Sequence, residues 1–281
     1  MNVGIYGDSY ASANSPQAVK WFELLAEKLE NDKTPAPKNS LFSFFKKEKK
    51  TEKNFFGEKI NLNIYSWAGS SFYYTYKKFL ENYKSNDLNI VLVTNPGRYT
   101  KKLDLTKSKF KQVITTEPHI DQVIQTFAPE LTPVDKNKLI FLKGWFKSQD
   151  YEYVTDMHEL MIQKMESLDE STIFYPCFSD SLSQERSKKY GLDVQTEHMH
   201  VYFHRQMELL NLPMTDFAAP ETENLCGHLG PEFNEFFANV LYKRIKTGKW
   251  DHSGMLDVKL NKSLLFYYQQ RMPNEQTPVQ P

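Results

Sequence analysis

Ser9 is the first residue whose type and setting suggest chemistry. It closes the triplet Gly7-Asp8-Ser9, directly after a short apolar run and before any helix can start. A serine hydroxyl becomes a nucleophile when a base takes its proton. Acyl transfer also needs donors aimed at the oxygen where negative charge develops. Two later turns carry such donors. Trp67-Ala68-Gly69-Ser70 offers the backbone N–H of Gly69, with no side chain in the way. Thr94-Asn95-Pro96-Gly97 offers the side-chain amide of Asn95. The base would be an imidazole. Of the seven histidines, His228 lies in Cys226-Gly227-His228-Leu229-Gly230-Pro231, in the loop before a strong helix, and so ranks ahead of His252 and His158.

The elements that must position these groups follow from the hydrophobic pattern. Residues 2–6 read as a short buried strand. Ser15-Pro16 reads as a helix start, and Ala18, Phe22, Leu25, Ala26 and Leu29 form one apolar stripe ending near Asn31. Ile60, Leu62 and Ile64 alternate with polar residues in a second strand over 59–66. A helix is expected over 72–83. A nearly all-apolar strand over 88–94 follows, of the kind covered on both faces of a parallel sheet. Beyond it, a short strand is expected at 112–116, helix over 138–168 broken near Gln149-Asp150, and a strand over 172–178. The remaining helices are expected over 195–210 and 231–245, the last carrying Phe233, Phe236, Phe237, Val240, Leu241 and Ile245 on one face. Alternating strands and helices imply right-handed crossovers and a parallel sheet. Ligands of such sheets bind beyond the carboxyl ends of the strands, where the three turns lie.

In order and placement, these blocks resemble the signature of the SGNH (GDSL-type) hydrolase superfamily. Gly7-Asp8-Ser9 follows strand one, Gly69 strand two and Asn95 strand three, and His228 precedes the final helix. The resemblance spans residues 2 to about 246, with few positions carrying it. It implies a flavodoxin-like three-layer α/β/α sandwich with a central parallel sheet. It also implies Ser9 as nucleophile, His228 as base, and an oxyanion hole from the Ser9 and Gly69 N–H groups and the Asn95 amide. The reaction implied is ester hydrolysis, with a small acyl or acetyl group on a carbohydrate as the substrate class by analogy. No cofactor and no metal are required. Two blocks depart from the pattern. The third usually runs Gly-x-Asn-Asp, where this chain has Val93-Thr94-Asn95-Pro96. The family aspartate three residues before the histidine is replaced by Leu225, leaving Glu223, Glu221, Asp216 or a backbone carbonyl to orient the imidazole. An acyltransferase, or a binding or structural protein without an effective triad, would keep the same fold.

Other clusters have plainer readings. Asp8 reads as a turn-stabilising acceptor or a substrate contact, and Arg98-Tyr99 as a rim pair that binds a substrate carboxylate or phosphate or meets a surface acid. His200 and His204 share a helical face at zinc-binding spacing but lack the His-Glu-x-x-His context. Asp156, His158 and Glu159 point to different sides of one helix, and Cys226 reads as a small buried residue.

The rest of the sequence bounds these readings. The 281 residues suffice for one domain over 1–248 with insertions at about 32–57 and 100–137, followed by an extension over 249–281 that frays into a tail. Lys+Arg and Asp+Glu are equal at 35, so no basic excess points to nucleic acid, and a small-molecule or neutral polymer substrate fits the balance; the small-molecule or carbohydrate ester is what the resemblance implies. No stretch approaches the roughly 18 apolar residues of a membrane span. No secretory signal is visible, and Cys177 and Cys226 read as reduced thiols of a cytoplasmic protein. The abundance of Lys, Asn, Phe and Tyr resembles AT-biased coding of the kind found in many phages.

Overall fold

The structure, a computed structural model, describes residues 1–8, 11, 20–33, 56–67, 70–98, 101–104, 111–114, 120–121, 124–125, 129, 131–193, 196–199, 201 and 231–254. Along the chain, β1 (Asn2–Gly7) is followed by α1 (Trp21–Asn31), β2 (Asn61–Ser66), α2 (Phe72–Asn82) and β3 (Leu88–Val93). A small antiparallel pair comes next, β4 (Lys101–Asp104) with β5 (Lys111–Ile114). Then come α3 (Pro133–Lys147), α4 (Tyr151–Leu168), β6 (Ile173–Pro176), α5 (Gln184–Tyr190) and α6 (Pro231–Thr247).

The central sheet has four parallel strands in the order β2-β1-β3-β6. The connection out of β1 runs to one side and the connection out of β3 to the other. The switch point therefore lies between the carboxyl ends of β1 and β3, the place where doubly wound sheets open a crevice. The order and the parallel sheet agree with a flavodoxin-like α/β architecture.

Side chains alternate across the sheet and both faces are covered. Tyr6 is in register with Val91, whereas Tyr175 is in register with Leu92, so the two tyrosines face opposite ways. On the Tyr175 side, Phe237 of α6 packs on the Tyr175 ring at 4.8 Å and meets Trp21 of α1 at 5.1 Å. On the Tyr6 side, Phe79 of α2 lies 5.4 Å from the Tyr6 ring, which stacks on Tyr65 at 5.0 Å. All six residues of β3 are buried, as the apolar run requires of a strand between two helix layers. Each large side chain so buried contributes about 1.5–3 kcal/mol.

A network of one phenol and three amides runs beneath α2 and ends on the carboxyl group of Asp169. Asn86 Nδ2 donates to the Tyr6 hydroxyl at 2.8 Å, and that hydroxyl donates to Asn89 Oδ1 at 3.1 Å. Asn89 Nδ2 continues to Asp169 at 2.8 Å, and Asn63 Nδ2 donates to Asn86 Oδ1 at 2.8 Å. Gly4 leaves room for it, because a Cβ there would fall 2.4 Å from Asn86 Nδ2.

Helix ends explain most differences from the sequence reading. α1 begins at Trp21: Lys20 is extended, and its N–H is taken by Glu23 Oε2 at 3.1 Å, while the start expected at Ser15-Pro16 lies outside the described residues. α3 begins at Pro133, ahead of the expected 138, because Thr132 and Asp135 form a reciprocal cap at 3.2 Å in each direction. The break between α3 and α4 falls at the expected place, with Asp150 capping α4. β4 and α5 have no counterpart in the sequence reading. α5 is short and polar, capped by Ser183 and stopped by Gly191 at φ 74°. Of the helix expected over 195–210, residues 196–198 form a turn, 199 and 201 are helical, and 195, 200 and 202–210 lie outside the described residues. No described helix is long and apolar enough to cross a membrane.

Candidate active site at the carboxyl rim of the sheet

Asp8, the residue after β1, is buried. Its Oδ2 accepts from the Thr94 hydroxyl at 2.8 Å and from Arg98 Nη1 at 2.7 Å. Thr94 and Arg98 flank the turn after β3, so one carboxylate ties the ends of β1 and β3 together at the switch point. Burying a carboxylate is costly unless it is paired and hydrogen-bonded, and this one has both a cation and a hydroxyl. The Arg98 guanidinium lies over the ring of Phe178, just past β6, at 4.8 Å. Close packing sets the exit angle of β1: a Cβ on Gly7 would fall 3.0 Å from Leu92 Cβ and 3.1 Å from Ala11 Cβ. The turn after β2 is tied to the same place, with Ser70 Oγ donating to Gly7 O at 3.3 Å and Ser66 Oγ to Ala11 O at 2.7 Å.

Asn95 is held at both ends of its amide. Oδ1 accepts the Gly97 N–H at 2.6 Å, and Nδ2 donates to Asp180, beyond β6. Asp180 also accepts the Tyr151 hydroxyl at 3.3 Å. The amide plane is thereby fixed, and Nδ2 carries a second N–H.

His158 of α4 is buried behind the rim. Its Nε2 lies 3.1 Å from Thr94 O, and its ring lies 4.3 Å from that of Phe72. Burial lowers its pKa from 6.5 to about 4, against the pull of the carbonyl acceptor. The imidazole is therefore neutral near pH 7, with Nε2–H donating to Thr94. Cys177, also buried, is pushed up well above the usual thiol value by burial and then by the Asp8 charge, with Arg98 opposing. A thiol so placed is inert.

A cleft of about 450 Å³ opens from this rim between α2 and α4. Pro96 and Arg98 stand at one end, with Ser71, the N-cap of α2. Phe72, Tyr76, Tyr153, Val154, Met157 and Met161 line its body.

Of the residues singled out in the sequence, Asp8, Asn95 and Arg98 meet at this rim. Ser9, Gly69, Tyr99, Asp216, Glu221, Glu223 and His228 lie outside the described residues, as do Cys226, His200 and His204. His252 is placed elsewhere, with Nε2 3.1 Å from the Tyr175 hydroxyl and Nδ1 3.0 Å from Glu197. On α4, His158 turns inward while Glu159 pairs with Arg186, as their spacing predicts. Thr94, Asp180 and Tyr151 have no role in the sequence reading. Thr94 and Asp180 each lie in a turn after a parallel strand, which is the signal that finds them.

Comparison with known protein families, with curated proteins and with solved structures finds no match to this chain. Fold and rim together define a parallel α/β protein with a polar, partly ionised crevice at its β1–β3 switch point.

Proposed function

We propose that the chain is a serine hydrolase of the SGNH type, cleaving an ester through an acyl-enzyme on Ser9. The observation that carries this reading is the convergence at one switch point of Asp8, from the Gly7-Asp8-Ser9 triplet, with Asn95, whose amide is fixed at both ends. A donor fixed before the reaction costs no reorganisation as the oxyanion forms. In this reading His228 takes the Ser9 proton as Oγ attacks the acyl carbon. The alcohol leaves with that proton, and water then releases the acid and restores Ser9. The Ser9 and Gly69 N–H groups and the second N–H of Asn95 Nδ2 hold the oxyanion. Glu223, Glu221, Asp216 or a carbonyl orients His228.

One observation favours a second reading, a binding protein on the same fold. Asp180 lies on Asn95, and its charge would repel a developing oxyanion. Labelling with a fluorophosphonate separates the two. The hydrolase reading expects labelling of the wild type and none of Ser9→Ala, with p-nitrophenyl ester turnover reduced roughly a thousandfold or more in the variant. A wild type that neither labels nor turns over these esters overturns it.

A further inference from the structure

The cleft between α2 and α4 has one polar end and an apolar body. The polar end holds Arg98 and the N-terminus of α2 at Ser71. Among the described residues the Arg98 guanidinium meets one acceptor, Asp8, and it carries more N–H groups than that carboxylate uses. Aligned helix amides add partial positive charge at the same end. The body is lined by the thioethers of Met157 and Met161, by Val154, and by aromatic rings. Thioethers adapt to flexible apolar occupants, and Met157 is 41% exposed at the cleft surface. Charge at one end and apolar walls along the rest match an unbranched chain with an acidic or carbonyl-bearing head.

We infer that this cleft binds a medium-chain acyl group, with its carboxyl end at Arg98 and its hydrocarbon along Met157 and Met161. That this acyl group is the one transferred to Ser9 rests on the hydrolase reading; the binding of the chain does not. The occupant is then longer than the acetyl group implied by the family resemblance.

Octanoate and 1-octanol serve as probes of the full-length protein by titration calorimetry. Octanoate should bind more tightly than 1-octanol, with the advantage shrinking as salt screens the head group. Met157→Trp fills the cleft from its open side and should weaken octanoate roughly tenfold or more. Ile140→Trp, on an exposed position outside the lining, should leave affinity unaltered. Equal binding of the two probes would overturn the placement of the carboxyl end, and failure of octanoate to bind the wild type would overturn the whole inference. Turnover then tests the link to catalysis. A higher kcat/KM for p-nitrophenyl octanoate than for the acetate, lowered by Met157→Trp, supports both readings. Octanoate binding without hydrolysis of either ester removes the hydrolase and keeps the site. Acetate hydrolysis without octanoate binding does the reverse.

Discussion

Two polar clusters sit on the same pair of strands and are built in opposite ways. Under α2, Tyr6, Asn86, Asn89 and Asn63 exchange hydrogen bonds between uncharged groups, and burial pushes the Tyr6 hydroxyl well above its usual pKa. At the rim, the Asp8 carboxyl is buried, paired with Arg98 and hydrogen-bonded by Thr94, from 90 and 86 residues away. A neutral network, once satisfied, favours one register of the strands and one seat for α2. An ion pair at an open crevice contributes less to stability, because each charge must be stripped of water. What it supplies is a fixed charge with donors left over, which a ligand can use. The contrast separates a cluster whose groups are satisfied by one another from one that keeps N–H groups for a ligand.

The largest test breaks the charged cluster. Arg98→Met leaves Asp8 buried without its cation and should cost about 3–5 kcal/mol in urea unfolding. Adding Asp8→Asn removes the stranded charge and should recover much of that loss. Recovery marks the penalty as electrostatic. A loss below about 1 kcal/mol, the range of an exposed pair, would show that the rim is no more demanding than a surface ion pair, and the contrast would fail.

His158 makes the rim sensitive to pH, whereas the three amides under α2 do not titrate and the Tyr6 hydroxyl is pushed well above its usual range. Its folded pKa of about 4 lies below the ordinary value of 6.5, because burial disfavours the charged ring. Above pH 6.5 it is neutral in both states and costs nothing. Below that value the unfolded chain binds a proton the folded chain refuses, so stability falls until about pH 4. The full difference is about 3 kcal/mol. His158→Gln keeps a donor for Thr94 O and does not titrate, so the part of the slope between pH 4 and 6.5 that belongs to His158 should vanish. An unchanged slope would place the acid sensitivity elsewhere.

How much of this was legible in the sequence depended on how local each cause was. β1 and β3 announce themselves as apolar runs, and Asp8, Asn95 and Arg98 are found because turns after parallel strands must share one rim. The Ser15-Pro16 signal lies outside the described residues, and the start of α1 at Trp21 is marked by Glu23 reaching back to the Lys20 N–H, a pairing with no Ser, Thr, Asp or Asn at the cap to announce it. α5 lacks an apolar stripe, so only Ser183 and Gly191 mark it. Asp180 and Tyr151 escaped because their partnership joins residues 29 apart on separate elements. No spacing rule encodes the way α4 is rotated to present His158 to Thr94, 64 residues earlier. The seat of that helix is decided by packing against α2.

The smallest expected effect sharpens the neutral side of the comparison. Tyr6→Phe deletes a hydroxyl that accepts from Asn86 and donates to Asn89. Both amides keep other partners: Asn86 Nδ2 still reaches Asn89 Oδ1 at 3.1 Å and Asn82 O at 3.2 Å, and Asn89 Nδ2 still reaches Asp169. No buried group is orphaned, and the ring keeps its contacts with Tyr65 and Phe79. The loss in thermal or urea unfolding should therefore be about 1 kcal/mol, the net worth of one satisfied hydrogen bond, and the same at pH 5 and pH 8. A loss near that of Arg98→Met would mean that the hydroxyl organises the whole amide cluster. The neutral network, not the buried ion pair, would then be the more fragile of the two.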